Sequence, residues 1–501
     1  MSTTQPIGRI IRELAKRDPQ RPAITCGART LTREELDRGS NRLARAYAEL
    51  GVRHGNFVTI ALPNSTEFHL AAVAVWKLGA VPQPVSWRLP ARERREIVEL
   101  AGSTLVVGDL DPADHPGVAH VPAGFRPPTG LGDGPLPERI SPSWKAPTSG
   151  GSTGRPKVIV DGHDGDIDLA QARAMLMEPD DCQLVAGPLH HNAPFTFSSL
   201  GLFLGHHLVV LPRFDATAAI DAIRTHAVSW MVLVPTMMQR IWRTAQEEPG
   251  RFDASSLRVV LHSSAACPPW VKEAWIDLVG PERLWEMYSG TEAQAIAALN
   301  GTEWLAHRGS VGRPMSGEMT VLNPDGTPAP PGVIGEIFMR APEGDPGYRY
   351  IGAEARSHGD WESLGDLGWM DEDGYLYLSD RRTDLIVSGG ANIYPAQVES
   401  ALSEHPAVLT SVVVGLPDDD LGQRVHAVVQ AAPGTTVEAL LDHLADRLDR
   451  YKIPRSIELT DEPLRDDAGK TRRGAIRDAA IESLRGTERV SGRDMKGPSH
   501  A

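Results

Sequence analysis

Between Pro147 and Lys157 the chain reads Pro-Thr-Ser-Gly-Gly-Ser-Thr-Gly-Arg-Pro-Lys, a concentration of hydroxyls, glycines and cations able to wrap an oxyanion. Gly150, Gly151 and Gly154 let the main chain approach a phosphate, Thr148, Ser149, Ser152 and Thr153 add donors, and Arg155 and Lys157 bring charge. Pro156 stiffens the exit. The loop differs from Walker A, in which Gly-Lys-Ser/Thr opens a helix directly; here Arg155-Pro156 separates Gly154 from Lys157, and Val158 follows. A flexible Gly/Ser linker would not favour a terminal Arg-Pro-Lys.

Further along, Tyr288-Ser289-Gly290-Thr291-Glu292 ends in a carboxylate beside a hydroxyl. One carboxylate suffices for Mg²⁺, which takes its remaining oxygens from phosphates and water, although such a turn is equally common on plain surfaces. In Gly365-Asp366-Leu367-Gly368 a carboxylate in a turn can accept both hydroxyls of a ribose, and Arg381 of Asp380-Arg381 adds a cation; taken alone, both are ordinary surface features. Gly389-Gly390 removes side chains from a path that a thin ligand arm could follow, or forms a simple turn before a helix over Ala396 to Leu402. Lys470 follows Gly469 in a turn near the C-terminus, where a solvated lysine is the ordinary reading.

Something must position these pieces. Short apolar runs at Val58 to Leu62, Leu105 to Val107, Leu208 to Leu211, Trp230 to Val234 and Val259 to Leu261 read as buried strands, alternating with helical patterns such as Arg33 to Leu50 and Glu67 to Leu78. That alternation predicts an α/β fold. After Gly312, turn signals at Asn323-Pro324-Asp325-Gly326, Pro330-Pro331-Gly332 and Asp371-Glu372-Asp373-Gly374 mark a β-rich subdomain. The expected layout is a large N-terminal domain over 1–381, made of α/β subdomains plus that β-rich one. A smaller, mobile α+β C-terminal domain follows over 384–484, and 485–501 is a disordered tail poor in apolar residues.

At 501 residues and a formal charge of -14, the chain argues against a general nucleic-acid or anionic-membrane surface. No run of eighteen apolar residues suggests a membrane span. Cys26, Cys182 and Cys267 are scattered without a CxxC pair, which fits neither a disulfide framework nor a zinc site and points to the cytoplasm.

The order of the motifs carries more than any one of them. The loop Thr148 to Lys157, Pro188-Leu189-His190-His191, Tyr288 to Glu292, Gly335-Glu336-Ile337, Ser363-Leu364-Gly365-Asp366, Asp380-Arg381, Gly389 to Glu399, Tyr451-Lys452-Ile453-Pro454 and Gly469-Lys470 together resemble acyl-CoA synthetases of the adenylate-forming superfamily over roughly residues 5 to 485. The resemblance implies ATP, Mg²⁺ and coenzyme A as cofactors. A carboxylic acid would be joined to AMP with loss of pyrophosphate, and then to a thiol with loss of AMP. It also implies roles. Ser149 to Lys157 would grip the β- and γ-phosphates, Thr291 and Glu292 would meet the α-phosphate and the metal, and Thr148, Ser264, Ala265, Tyr288 and Ser289 would lie near the nucleotide. Asp366 and Arg381 would hold the ribose, and Lys470 would bridge the carboxylate and α-phosphate. A swing about Thr383 would exchange Lys470 for Gly389-Gly390, which would line a pantetheine tunnel, with His191 near the acyl carbonyl.

This chain departs from the family pattern at several positions: Ser289 where glycine is usual, the double Gly150-Gly151, Val158 after the lysine, Leu364 and Thr383. The double glycine, with Gly301-Thr302-Glu303-Trp304-Leu305 and Gly309-Ser310-Val311-Gly312, is similar to bacterial ligases for bile-acid, steroid or terpenoid carboxylates. Asn192, Ala193, Phe195, Trp230, Val234, Met237, Ser264, Ala265 and Gly290 are expected around a bulky hydrophobic acyl group. Two alternatives remain open: a ligase that only thioesterifies a preformed adenylate, and an adenylation enzyme that loads an acyl-carrier protein. The expected partner is a small hydrophobic acid or its adenylate, with no nucleic acid and no integral membrane contact, and the chain is compatible with a homodimer.

Overall fold

The computed structural model describes residues 4–150, 156–466 and 469–491. They fall into two compact units, Met1–Ser264 with Val271–Met319 and Phe338–Ser363, and Ala265–Trp270 with Thr320–Ile337 and Leu364–Ala501. The fold is mixed α/β.

The first unit contains two largely parallel sheets. In one, Val81–Pro84, Phe57–Ile60, Leu105–Val107 and Ala119–Val121 lie side by side, all parallel. In the other, Leu284–Tyr288, Val259–His262, Trp230–Leu233, Cys182–Val185, His207–Val210 and Pro22–Cys26 run parallel in that spatial order. Antiparallel strands flank this second sheet, Ile296–Asn300 on one side and Arg29–Thr32 on the other. Central strands such as Trp230–Leu233 and Val259–His262 are buried along their whole length, the reason they read as unbroken apolar runs rather than alternating ones. Helices cover the faces. Arg33–Glu49 begins where Thr32 and Glu35 cap each other reciprocally, and Thr66–Lys77 is so nearly enclosed that its apolar residues go all round. Helix Ile7–Arg17 buries Ile7, Ile10 and Ile11 in the same core.

The second unit holds the hairpin of Asp366–Met370 and Leu376–Arg381, closed by the Asp371-to-Gly374 turn, in which Asp371 Oδ1 accepts from the backbone N–H of Asp373 and Tyr375. Beyond it, Val408–Asp418 and Gly422–Ala431 form a long antiparallel pair joined by Ser456–Thr460 and the short strands Ile386–Ser388 and Ala391–Ile393. Helices Pro395–Ser403 and Val437–Ala445 contribute Val398, Leu402, Leu440 and Leu444 to its core. The last helix, Arg473–Ser491, packs Ala480 against Val412, Val414 and Leu416. It continues past Leu484, so 485–491 are helical rather than the start of a disordered tail. An amphipathic helix already nucleated over Arg473 to Leu484 adds one backbone hydrogen bond per residue as it extends. Residues 492–501 lie outside the described residues.

Cys26, Cys182 and Cys267 are not joined in disulfides. Among the described residues no helix is long and apolar enough to cross a membrane.

Candidate active site

Four adjacent parallel strands of the large sheet point their carboxyl ends the same way, and the expected site residues follow those ends. His190, His191 and Asn192 come after Cys182–Val185, Val234 after Trp230–Leu233, Ser264 after Val259–His262, and Ser289 to Glu292 after Leu284–Tyr288. That edge is where open α/β sheets bind ligands. Backbone strain collects there: Ser264 and Ala293 are non-glycine residues held at φ 73° and 54°. Such conformations cost on the order of 1 kcal/mol or more and persist where the surroundings over-determine them.

The phosphate loop is mounted on a separate small antiparallel sheet. Thr148 pairs with Val158, Ser149 with Lys157 and Gly150 with Pro156, and Tyr348–Ile351 lies on the other side of Pro156–Asp161. The loop therefore joins two antiparallel strands, where a Walker A loop would open a helix. Gly151, Ser152, Thr153, Gly154 and Arg155 lie outside the described residues.

Lys157 and Glu292, 135 positions apart, meet at 2.9 Å between Nζ and Oε1, and the Glu292 side chain is almost fully buried. Tyr350 donates its hydroxyl to the same Oε1 at 2.5 Å, while its ring lies 3.9 Å beneath the Lys157 ammonium. Burial, then the Glu292 charge, pushes the Tyr350 hydroxyl pKa up, so it stays a donor. Tyr348 donates to Glu362 Oε2 at 2.8 Å, and Gln294 Nε2 donates to the same oxygen at 2.8 Å. Sequence reading missed Tyr350, Tyr348, Glu362 and Gln294. The one local signal was two tyrosines at i and i+2 around an exposed Arg349, the pattern of a strand showing one aromatic face.

Glu292 offers the donor set a magnesium ion would need. Oε1 carries both neighbours, and among the described residues no hydrogen bond engages Oε2. A hard cation that needs only one or two protein oxygens fits a buried carboxylate of this kind, with the half-buried hydroxyl of Thr291 next to it in the chain.

Ser289 donates its hydroxyl to the carbonyl of Ala295 at 2.8 Å, within its own turn. His191 precedes helix Asn192–Leu204, its ring centroid 4.3 Å from that of His190. Lys145 lies buried beside this helix, donating to Asn192 Oδ1 at 2.8 Å and Thr196 Oγ1 at 3.1 Å; burial pushes its pKa down while Asp161 opposes the shift. Three residues expected around the acyl group, Phe195, Trp230 and Met237, are core instead, Met237 at 2% exposure. Phe195 is fully enclosed between Phe68 and Trp76, and Trp230 packs on Phe197 with its indole N–H on the Met175 carbonyl, so neither offers surface to a ligand. Large aromatics on a sheet-facing helix or central strand are drawn into the core by the area they bury.

The second unit carries the remaining expected residues. Asp366 and Arg381 are cross-strand partners, with Arg381 Nε 3.2 Å from Asp366 Oδ1. Gly389 and Gly390, at φ 57° and 82°, are the two turn residues between paired Ser388 and Ala391, a hairpin geometry that needs positive φ twice. Lys470 is exposed at the end of a turn in which Gly469 N–H donates to the Asp466 carbonyl and Lys470 N–H to Asp466 Oδ1, at 2.9 and 2.8 Å. Arg465 steadies that turn through Gly469 O and Glu399, and Arg473 connects Glu399 to Asp384. Ala265, half-buried, also falls in this unit.

Strand-end hydroxyls along one sheet edge, and a lysine from the small neighbouring sheet paired with a buried acidic residue there, suit an enzyme that handles nucleotide phosphates. Comparison with known proteins makes the class definite. The family model "AMP-binding enzyme" matches residues 11–349 and the model "AMP-binding enzyme C-terminal domain" matches 397–472. A feruloyl-CoA synthase from an Amycolatopsis species is 32% identical over 487 residues, covering 92% of this chain and 96% of the relative. A fatty acid–[acyl-carrier-protein] ligase from Streptomyces coeruleorubidus is 30% identical, covering 93% and 94%. The solved o-succinylbenzoate-CoA synthetase from Bacillus subtilis, in complex with its acyl-adenylate intermediate, superposes with a TM-score of 0.81 at 27% identity, covering 94% and 98%. The chain belongs to the AMP-binding enzyme family, as an acyl-CoA synthetase of the adenylate-forming superfamily. Its class uses ATP, Mg²⁺ and coenzyme A, and works through an acyl adenylate.

Proposed function

We propose that this enzyme activates a bulky hydrophobic carboxylic acid, with the residues at the sheet edge dividing the work. The observation that carries this reading is the pairing of Lys157 with the buried Glu292, with Ser149 as the cross-strand neighbour of Lys157. Lys157, with Ser149 to Gly154, grips the phosphates that leave as pyrophosphate. Glu292 and Thr291 hold Mg²⁺, which when bound neutralises phosphate charge during displacement. Ser264, Ala265, Tyr288 and Ser289 border the nucleotide, and Asp366 with Arg381 holds the ribose. As the acid's carboxylate attacks the α-phosphorus, Lys470 stabilises the charge that builds between them. The C-terminal domain, 384–484, then turns about Thr383 so that Gly389-Gly390 admits the pantetheine arm, and His191 stands by the carbonyl when thiolate expels AMP. Ala193, Val234 and Gly290, partly exposed and apolar, support a hydrophobic acyl group. We place the enzyme in the cytoplasm; a homodimer is compatible with this reading.

An acid library read in parallel by pyrophosphate release and by CoA-ester formation tests this reading. Bulky hydrophobic acids should score in both channels, and Lys470→Ala should lower pyrophosphate release by at least about a hundredfold, the scale of losing one positioned charge, while leaving thioesterification of supplied adenylate nearly intact. Ester formation from supplied adenylate alone would assign the enzyme to thioesterification only. A second reading, transfer to an acyl-carrier protein, is favoured by the likeness to the Streptomyces ligase. Including a carrier protein as acceptor in the same screen separates the two.

A further inference from the structure

Glu292 Oε1 accepts from two donors at once, and they have different futures. Lys157 is a cation at the mouth of the phosphate loop, and in the reading above it turns to phosphate oxygens when ATP arrives. That leaves the buried carboxylate with one donor, the hydroxyl of Tyr350. The strand register explains how it gets there. Tyr350 pairs with Ile159 and Tyr348 with Asp161, so both tyrosines share a face with Lys157, and Tyr350 reaches Lys157 as its diagonal neighbour.

Tyr350 is itself held. Tyr348 packs edge-on against it, with ring centroids 4.8 Å apart at 68°, and the Tyr348 hydroxyl is anchored on Glu362, which Gln294 also engages. In this contact the Tyr350 hydroxyl donates to Glu292 Oε1, and among the described residues no hydrogen bond engages Oε2.

We propose that Tyr350 is a positioning residue for Glu292: it fixes Oε1 so that Oε2 is presented to the metal when Lys157 is drawn to phosphate. This rests on the reading of Glu292 as the magnesium carboxylate. Tyr350 touches neither substrate nor metal in this role. Its hydroxyl acts on the geometry of the carboxylate, while its ring supports Lys157 beforehand.

The test is Tyr350→Phe, which keeps the ring and its packing and removes only the hydroxyl. ATP binding is followed by titration calorimetry at graded Mg²⁺ and in EDTA, with Glu292→Gln measured alongside. The Mg²⁺ concentration for half-maximal binding should rise about tenfold in Tyr350→Phe, the scale of a lost hydrogen bond to a charged group. Metal-free ATP affinity should stay within about twofold, as expected when the charged contacts to phosphate are untouched, and so should thioesterification of preformed adenylate. Tyr348→Phe should shift the metal requirement in the same direction by less. A metal titration for Tyr350→Phe that overlays wild type, or an equal loss of affinity with and without metal, overturns the proposal. If Glu292→Gln retains the wild-type metal dependence, the reading of Glu292 fails and the proposal falls with it. A shift in Glu292→Gln without one in Tyr350→Phe defeats the proposal alone.

Discussion

Ser289 stands where the family usually has glycine, and its side chain is absorbed by the turn it sits in. The hydroxyl donates to Ala295 O at 2.8 Å and also lies 3.3 Å from Gly290 O, so the departure adds a Cβ at the proposed nucleotide edge but no loose polar group. Ser289→Gly should therefore change ATP affinity in the full adenylation assay by no more than about threefold, while lowering stability by about 1 kcal/mol for the lost hydrogen bond and the freer backbone. A large gain in ATP affinity would show that the Cβ obstructs adenine. At this scale Lys157 and Glu292 were legible because each lies in a motif whose local composition already implies phosphate chemistry. Tyr350 was not, since a tyrosine beside an arginine on a short strand carries no mark of the carboxylate it will meet.

Among the elements, the double glycine of the second unit shows how a structural demand and a functional one can share residues. Gly389 and Gly390 close a two-residue hairpin, so their φ values alone account for both glycines. A Cβ at Gly390 meets nothing within 4 Å, which leaves space that a turn does not require. Asparagine tolerates the left-handed conformation. Gly390→Asn should accordingly keep the hairpin and the pyrophosphate-release rate, and should slow CoA-ester formation if this is the pantetheine path. Equal rates in both assays would reduce the pair to a turn. The strands and helices themselves were largely legible from their periodicity: Arg33–Glu49, Thr66–Lys77 and Trp230–Leu233 agree with the sequence reading to within a residue. Phe195, Trp230 and Met237 went astray because an apolar residue beside a ligand and one inside a core obey the same local pattern.

Across the whole molecule, long-range bonds set how its parts respond to conditions. Asp380 precedes the proposed pivot at Thr383, yet its Oδ2 accepts from the backbone N–H of Ala396 at 2.8 Å, serving the start of helix Pro395–Ser403, where Tyr394 provides no side-chain cap. Burial pushes the Asp380 carboxyl up to about 6, against the N–H donors of Ala396 and Arg381 and the charge of Arg473, with Glu399 reinforcing the rise. The folded state thus holds this proton more tightly than the unfolded chain, whose aspartate titrates near 4. Its stabilising contribution is complete below about pH 4 and is lost as pH rises through 6, amounting to roughly 2–3 kcal/mol. Asp380→Asn should escape that loss. The difference in unfolding midpoint between the variant and wild type should widen from pH 4 to pH 7, whereas a constant difference would show that Asp380 stays ionised throughout.

Residue order was enough to specify the α/β class and the succession of motifs that marks the family, because propensity, turn chemistry and motif spacing all act over a few neighbouring residues. Which carboxylate meets Lys157, which tyrosine holds it and which helix Asp380 caps were settled by folding. The first two contacts join residues 135 and 58 positions apart, and the third spans 16. Contacts at such separations depend on strand order and register, which the pattern of any one segment does not contain.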